Sequence, residues 1–433
     1  MKDERGDTMR KIIYTLITVM VLAFMLLSVN VNAATKSYTI SEKSKPLAKY
    51  KKLATYNNKT KDYYIFRGVF EDCAKNNGGT IVIKKGNYTI TNPIYIASNT
   101  TVILEDGVVI TKGFETGTSK LKASLSIFQL IDPQYAKATN HYSGYSGEHD
   151  ITIIGKGSAT IDIGYVERGL GIVIGHTTNV TIKNIKFKNM NGGHFIEMDA
   201  SNNTLVEGCT FENAKEWGKS AFKEAINVDT PDLVTRGFNN VWSSHDKTPN
   251  KNTHITNCTF KNLESGVGTH GVSKTQNPDT GVYDINQWHS NIKIDYCKFI
   301  NISRTCLRVY AWKDMIIENN EFSNESSQGS IFEAWCVNNP TFKNNIMDNF
   351  KDIGTILSIN FFTKKDGVIV KVPGQDYEPN YSYIYEQNIT DFYNNSVTNM
   401  DNSKLYIHKG IKTPVPASDL TITGKEMKLQ ASN

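Results

Sequence analysis

Apolar and polar residues alternate in one phrase that recurs through the middle of the chain. It reads Asn179-Val-Thr-Ile-Lys-Asn-Ile-Lys-Phe187, then Asn203-Thr-Leu-Val-Glu-Gly-Cys-Thr-Phe211 and Asn252-Thr-His-Ile-Thr-Asn-Cys-Thr-Phe260. Asn291-Ile-Lys-Ile-Asp-Tyr-Cys-Lys-Phe299 and Asp314-Met-Ile-Ile-Glu-Asn-Asn-Glu-Phe322 continue it. The starts lie 24, 49, 39 and 23 residues apart, a basic period near 24 with insertions or an extra turn in two places. A period of two within each phrase is that of a strand, and self-similarity at this spacing is the mark of a solenoid.

Each unit supplies a further strand some eight to fifteen residues on: Phe195–Asp199, Ala225–Asp229, Val267–His270, Leu307–Tyr310 and Ile331–Trp335. Short strands without interleaved helices predict an all-β, single-domain parallel β-helix, each coil burying its apolar face against the next. The phrase-ending phenylalanines are predicted to stack as an internal ladder. The leading asparagines are predicted to stack at a corner, where a short amide tolerates left-handed geometry. Thr80–Ile83, Tyr88–Ile90, Thr101–Leu104 and Ile151–Ile154 read as earlier strands. Residues 63–76 carry Ile65, Phe66, Val69, Phe70 and Cys73 at helical spacing before Asn77-Gly78-Gly79, a helix capping the open N-terminal coil. The expected organisation is a signal peptide over 1–33, a spacer over 34–62, the β-helix over 63–400 and a C-terminal cap or tail over 401–433.

Composition sharpens this picture. The chain has 433 residues, 39% of them apolar, and 44 Asn against 11 Pro, so turns dominate and a helical bundle is excluded. The signal peptide rests on an apolar run from Ile12 to Val29 that follows a basic segment and precedes the small-residue site Val31-Asn32-Ala33; translation starts at Met1 or at Met9. This predicts export, to the extracellular space or the cell surface, without stable membrane insertion after cleavage. Six cysteines lack a CxxC pair, and three share one place in the repeat, which reads as buried thiols rather than ligands. A net charge of +5 without a basic block argues against nucleic acid and allows an acidic polymer.

Inward placement of Ile196/Met198, Ile226/Val228, Val267/Thr269 and Leu307/Val309 turns two columns outward. One is Glu197, Asn227, Gly268, Arg308; the other is Asp199, Asp229, His270, Tyr310. Successive coils stand about 4.8 Å apart, so acids, an imidazole, a guanidinium and a phenol share one face. Glu224, Asp229 and Asp232 crowd one segment, an irregular insertion carries Ser244-His-Asp-Lys-Thr-Pro249, and the glycines of Gly266-Val-Gly-Thr-His-Gly271 leave room for a ligand.

The chain resembles the pectin-lyase-like superfamily of right-handed parallel β-helix proteins over roughly residues 60–400. The order Asn227-Val-Asp229, a second acid, His270-Gly271 and Arg308 is distantly similar to the polygalacturonase-type glycoside hydrolases, which carry Asn-Thr-Asp, Asp-Asp, Gly-His-Gly and Arg-Ile-Lys. Here Val228 replaces Thr, His245-Asp246 stands where Asp-Asp would, and Arg308-Val-Tyr310 lacks the lysine. The resemblance implies Asp229 and Asp246 as the carboxylate pair, His270 tuning them, and Arg308 binding substrate. Glu197, Asp199, Glu224, Asn227 and Tyr310 complete the expected substrate-binding set, with no metal or other cofactor, a polysaccharide partner, a monomeric state and inversion favoured. Two alternatives stand beside it. In a polysaccharide lyase, Asp199, Asp229 and Glu197 or Glu224 would hold Ca2+ and Arg308 would act as base. In a non-catalytic binding rod, Trp217, Trp242, Trp288, Trp312 and Trp335 could stack sugar rings, as they could under the other readings.

Overall fold

A left-handed residue at the sixth position of every phrase decides how the coil is built. Asn184, Gly208, Asn257, Tyr296 and Asn319 all have φ between 51° and 64°, so the phrase is not one strand but two joined at a corner. The computed structural model describes residues 36–216 and 223–357, apart from 234, 236, 237, 272, 274, 277–282, 285, 286 and 339. Six short strands lie beyond: 362–365, 368–371, 391–393, 396–398, 404–408 and 428–432. The predicted signal peptide, most of the C-terminal segment, and Trp217 lie outside the described residues.

Three parallel ladders follow from the repeat. The first runs through Gly79–Ile83, Thr100–Leu104, His149–Gly155, Thr178–Lys183, Asn202–Glu207, Lys251–Thr256 and His289–Asp295. The second contains Lys186–Met190 and Thr210–Ala214 and continues into the start of Thr259–Gly268. The third contains Ser126–Gln129, Leu170–Gly175, His194–Asp199, Glu224–Asp229, the end of Thr259–Gly268 and the latter part of Lys298–Lys313. Asn202–Glu207 pairs directly with Lys251–Thr256 and that strand with His289–Asp295, so the long repeat intervals hold insertions within single coils, not extra coils.

The core is the predicted ladder. Phe187, Phe211, Phe260, Phe299 and Phe322 are fully buried, with successive ring centroids 5.1, 4.9, 4.6 and 4.9 Å apart, close to the spacing of paired strands. Cys209, Cys258 and Cys297 form a shorter file of buried free thiols beside it. The phrase-leading Asn179, Asn203, Asn252 and Asn291 are left-handed, and Asn203 donates to Asn179 at 2.7 Å and Asn291 to Asn252 at 3.0 Å. A second file, Asn213, Asn262 and Asn301, does the same at 3.3 and 3.2 Å. Stacked amides thus satisfy corners that no ladder bond reaches.

The capping helix spans Lys61–Lys75 and buries Phe66 and Phe70, which meet Tyr88 and Phe128 at 5.3 and 6.1 Å. The segment read as a spacer contributes more than a linker: Ser37–Ile40 pairs in parallel with Gly79–Ile83, and Ala48–Lys51 is a short helix. Among the described residues, no helix is long and apolar enough to cross a membrane.

One buried imidazole gives the fold a pH signature. His289 accepts the Asn250 N–H at Nδ1, 3.0 Å, and burial pushes its pKa down to about 3 from 6.5. A histidine with a lowered folded pKa stabilises above its unfolded value, and this contribution is lost as pH falls below it. From about pH 6.5 to pH 5, His289 accounts for about 2 kcal/mol of lost stability. His289→Asn, whose Oδ1 can accept the same N–H, is expected to flatten the urea-midpoint profile by that amount; parallel profiles for the two proteins would refute the assignment.

Candidate functional site

The third face carries the site, and strand register puts it there. Glu197 pairs with Asn227, Asn227 with Gly268, Gly268 with Arg308, and Arg308 with Glu333, so the first outward column is continuous over five coils. Asp199 pairs with Asp229 in the second column. The ladder stops at Gly268, and His270 lies just past it, with Nε2 3.3 Å from Glu224 and Nδ1 3.3 Å from Asp229. Asn227 Nδ2 is 3.2 Å from the same Nδ1.

Arg308 crosses Gly268 to reach Glu224. A Cβ at Gly268 would stand 2.6 Å from Arg308 Cβ, and one at Gly266 would strike the Phe299 ring at 2.5 Å. The room expected there for a ligand is therefore filled by the arginine and the core. Arg308 Nη1 donates to Glu224 Oε1 at 2.6 Å and Nη2 to the Tyr310 hydroxyl at 3.1 Å; that hydroxyl donates to Glu333 at 2.6 Å.

Opposed environments set the charges. Burial would raise Glu224, but His270, Arg308 and His194 outweigh it and hold the carboxyl down to about 2. Burial disfavours the His270 cation, yet Glu224 and Asp229 raise its pKa. Burial pushes Glu197 up to about 7, with Asp229 adding and His270 and Lys223 opposing. Asp199, fully buried with no hydrogen-bond partner on either oxygen, is raised well above the usual carboxylate range by burial, Glu197 and Asp229. Asp229 is also raised, chiefly by burial. Their surroundings thus push neighbouring carboxyls in opposite directions, Glu197, Asp199 and Asp229 up and Glu224 down, the kind of separation that acid–base chemistry uses.

A groove of about 570 Å3 opens over this cluster, lined by Gln129, Arg168, His194, Glu197, Lys223 and His270 and bounded by Asn239 and Asn240 of the insertion. Glu197 reaches it while only 8% exposed.

The structure does not bring Asp246 into this network. Asp246 is exposed, and its two oxygens accept N–H bonds from Gly144 (2.6 Å) and Thr248 (3.1 Å), which hold the carboxyl low against partial burial. It anchors the insertion to a distant loop. The insertion in turn lays Phe238 and Trp242 over Gly175, where a Cβ would meet them at 2.6 and 2.7 Å. Trp242 and Trp312 are buried packing residues, the latter donating to Thr269 at 2.9 Å, rather than groove platforms. Sequence reasoning missed His194, Arg168, Lys223 and Glu333. Glu333 was reachable by extending the first column one coil; His194 follows Asn191-Gly-Gly193 at a strand start, a weaker signal.

Register, three-ladder coils and the stacked core define a parallel β-helix, and its likeness to solved structures makes the fold the right-handed, pectin-lyase-like one. No protein-family model matches the chain. It is similar to the plasmin and fibronectin-binding protein A of Streptococcus pneumoniae, 26% identical over 318 residues, 67% of this chain and 41% of that protein. The chain therefore spans less than half the length of this curated relative. Two solved structures of PfbA, the surface adhesin of Streptococcus pneumoniae, share the fold. One has a TM-score of 0.56 at 18% identity, over 84% of this chain and 91% of that one; the other has 0.55 at 18%, over 85% and 87%.

Proposed function

We propose that this chain is a surface or extracellular β-helix protein whose third-face groove hydrolyses a glycosidic bond of a polysaccharide. The observation that carries this reading is Glu197, a groove-lining carboxyl set one strand and two residues from Asp229. That offset puts the two Cα atoms about 8 Å apart on one face, and inversion asks for about 6.5–9.5 Å between the carboxyl groups themselves, with a water between them. Glu197 is the proton donor to the leaving oxygen, Asp229 the partner that activates water, and His270 the group that orients Asp229. Lys223 and Arg168 give the groove a cationic wall suited to an acidic sugar. Asp246 has no part in this assignment.

Elimination is the weaker chemistry here. Arg308, the base that a lyase would need, is bonded to Glu224 and Tyr310, and Glu224 pushes its pKa further up despite burial. A second reading, binding without cleavage, is favoured by the similarity to a plasmin and fibronectin-binding adhesin.

The test is a panel of acidic and neutral polysaccharides assayed for reducing ends and for ultraviolet-absorbing unsaturated products. Reducing ends without absorbance are expected, and Glu197→Gln is expected to lower the rate by about 10²–10⁴-fold, the contribution of a positioned acid. Full activity in Glu197→Gln overturns the assignment, and polymer binding with no cleavage on the whole panel establishes the second reading.

A further inference from the structure

Three groups at the base of the groove have the composition of a metal site. A ring nitrogen of His194, a ring nitrogen of His270 and a carboxylate oxygen of Glu224 all lie within 4.8 Å of one another. We propose that His194, Glu224 and His270 bind one divalent transition-metal cation of the zinc type. The proposal does not depend on the hydrolase reading, since it concerns binding alone.

Glu224 Oε2 and His270 Nε2, 3.3 Å apart, are buried atoms without a hydrogen-bond partner. Ligands about 2.1 Å from a tetrahedral Zn2+ stand about 3.4 Å from one another, so this pair already has the spacing, and His194, with Nδ1 4.0 Å from Oε2, has the remaining gap to close. The unpaired edges exist because each group is held from behind. Glu224 Oε1 accepts from Arg308 at 2.6 Å, leaving Oε2 turned to the imidazoles. His270 Nδ1 faces Asp229 at 3.3 Å, a carboxylate behind a ligating imidazole of the kind that fixes ring orientation and tautomer at zinc sites. His194 Nδ1 meets the Glu224 backbone carbonyl at 2.6 Å and is also the nitrogen 4.0 Å from Oε2, so this ring turns about its side-chain bonds to ligate.

Ligand type decides the ion. Two imidazoles with one carboxylate suit Zn2+, Co2+ or Ni2+, whereas Ca2+ takes six or more oxygens. His270, with a side chain 22% exposed, lines the groove and gives the ion a way in.

Calorimetry with Zn2+ and visible absorption of Co2+ on the full chain test this. The expected result is one equivalent of either ion, d–d bands for Co2+, and no competition by Ca2+. His194→Gln and His270→Gln should each weaken binding by at least about 100-fold, and Asp229→Asn, which removes only the group behind His270, by about 10–100-fold. The control His254→Gln alters an imidazole bonded to Asp295 at 2.8 Å on the first face and should bind normally. Circular dichroism of each metal-free variant separates lost ligands from lost fold. Absence of a saturable equivalent, or undiminished binding by a folded His194→Gln/His270→Gln double variant, overturns the proposal.

Discussion

Arg308→Met should cost about 3–5 kcal/mol in stability, because it strips the buried Glu224 of its hydrogen-bonded cation and leaves only His270 to offset its charge. Glu224 has no exposed surface, and Arg308 Nη1 at 2.6 Å is its direct cationic hydrogen-bond donor. The same change unlinks Tyr310 and Glu333 from the guanidinium. Arg308→Lys should fall between wild type and Arg308→Met, since an ammonium cannot present one nitrogen to Glu224 and another to Tyr310 in a fixed fork. The double variant Arg308→Met/Glu224→Gln should recover most of the loss by removing both charges together. Urea denaturation at neutral pH reads all three. A loss under about 1 kcal/mol for Arg308→Met would mean that His270, not the arginine, compensates Glu224.

Phe260→Ala should cost a comparable amount, about 3–5 kcal/mol, by opening a cavity at the centre of the phenylalanine file. Its ring stacks on Phe211 at 4.9 Å and on Phe299 at 4.6 Å, the latter pair within 5° of parallel. In a solenoid, stability is close to a sum of units and their nearest-neighbour interfaces, so a central deletion weakens two interfaces at once. Phe342, which meets Phe322 at the wider 6.3 Å, should tolerate truncation better. Hydrogen exchange should accordingly show Phe260→Ala loosening the coils on both sides of it. Equal protection loss in Phe260→Ala and Phe342→Ala would contradict nearest-neighbour additivity.

Alternation and repetition were legible because they are local. A strand period of two and a phrase spacing near 24 residues fix which side chains face inward, and register in a parallel stack then follows from the phrase itself. That is why the column Glu197, Asn227, Gly268, Arg308 could be written down in order, and why the phenylalanine and asparagine files stand where expected. The corner inside each phrase was harder, because Asn, Gly and Tyr all occupy it and only their shared left-handed φ makes them alike.

The candidate site divides along the same line. Glu197, Asp199, Asn227, Asp229, Arg308 and Tyr310 sit on repeating strands and were placed by periodicity. Asp246 sits in the insertion, where no period constrains direction, and a family-like order of acids pointed to it; the folded loop instead spends its carboxylate on the N–H groups of Gly144 and Thr248.

The sequence by itself determined a β-helix, its inward face, its capping helix and an outward column of ionisable residues, since each depends on spacing along the chain. Tertiary structure alone decided that Arg308 crosses a glycine to Glu224, that Glu197 lines the groove while Asp199 is sealed beneath it, and that His194 joins His270. Those facts depend on distances between coils and on which polar groups lose water, and neither quantity is written in local periodicity.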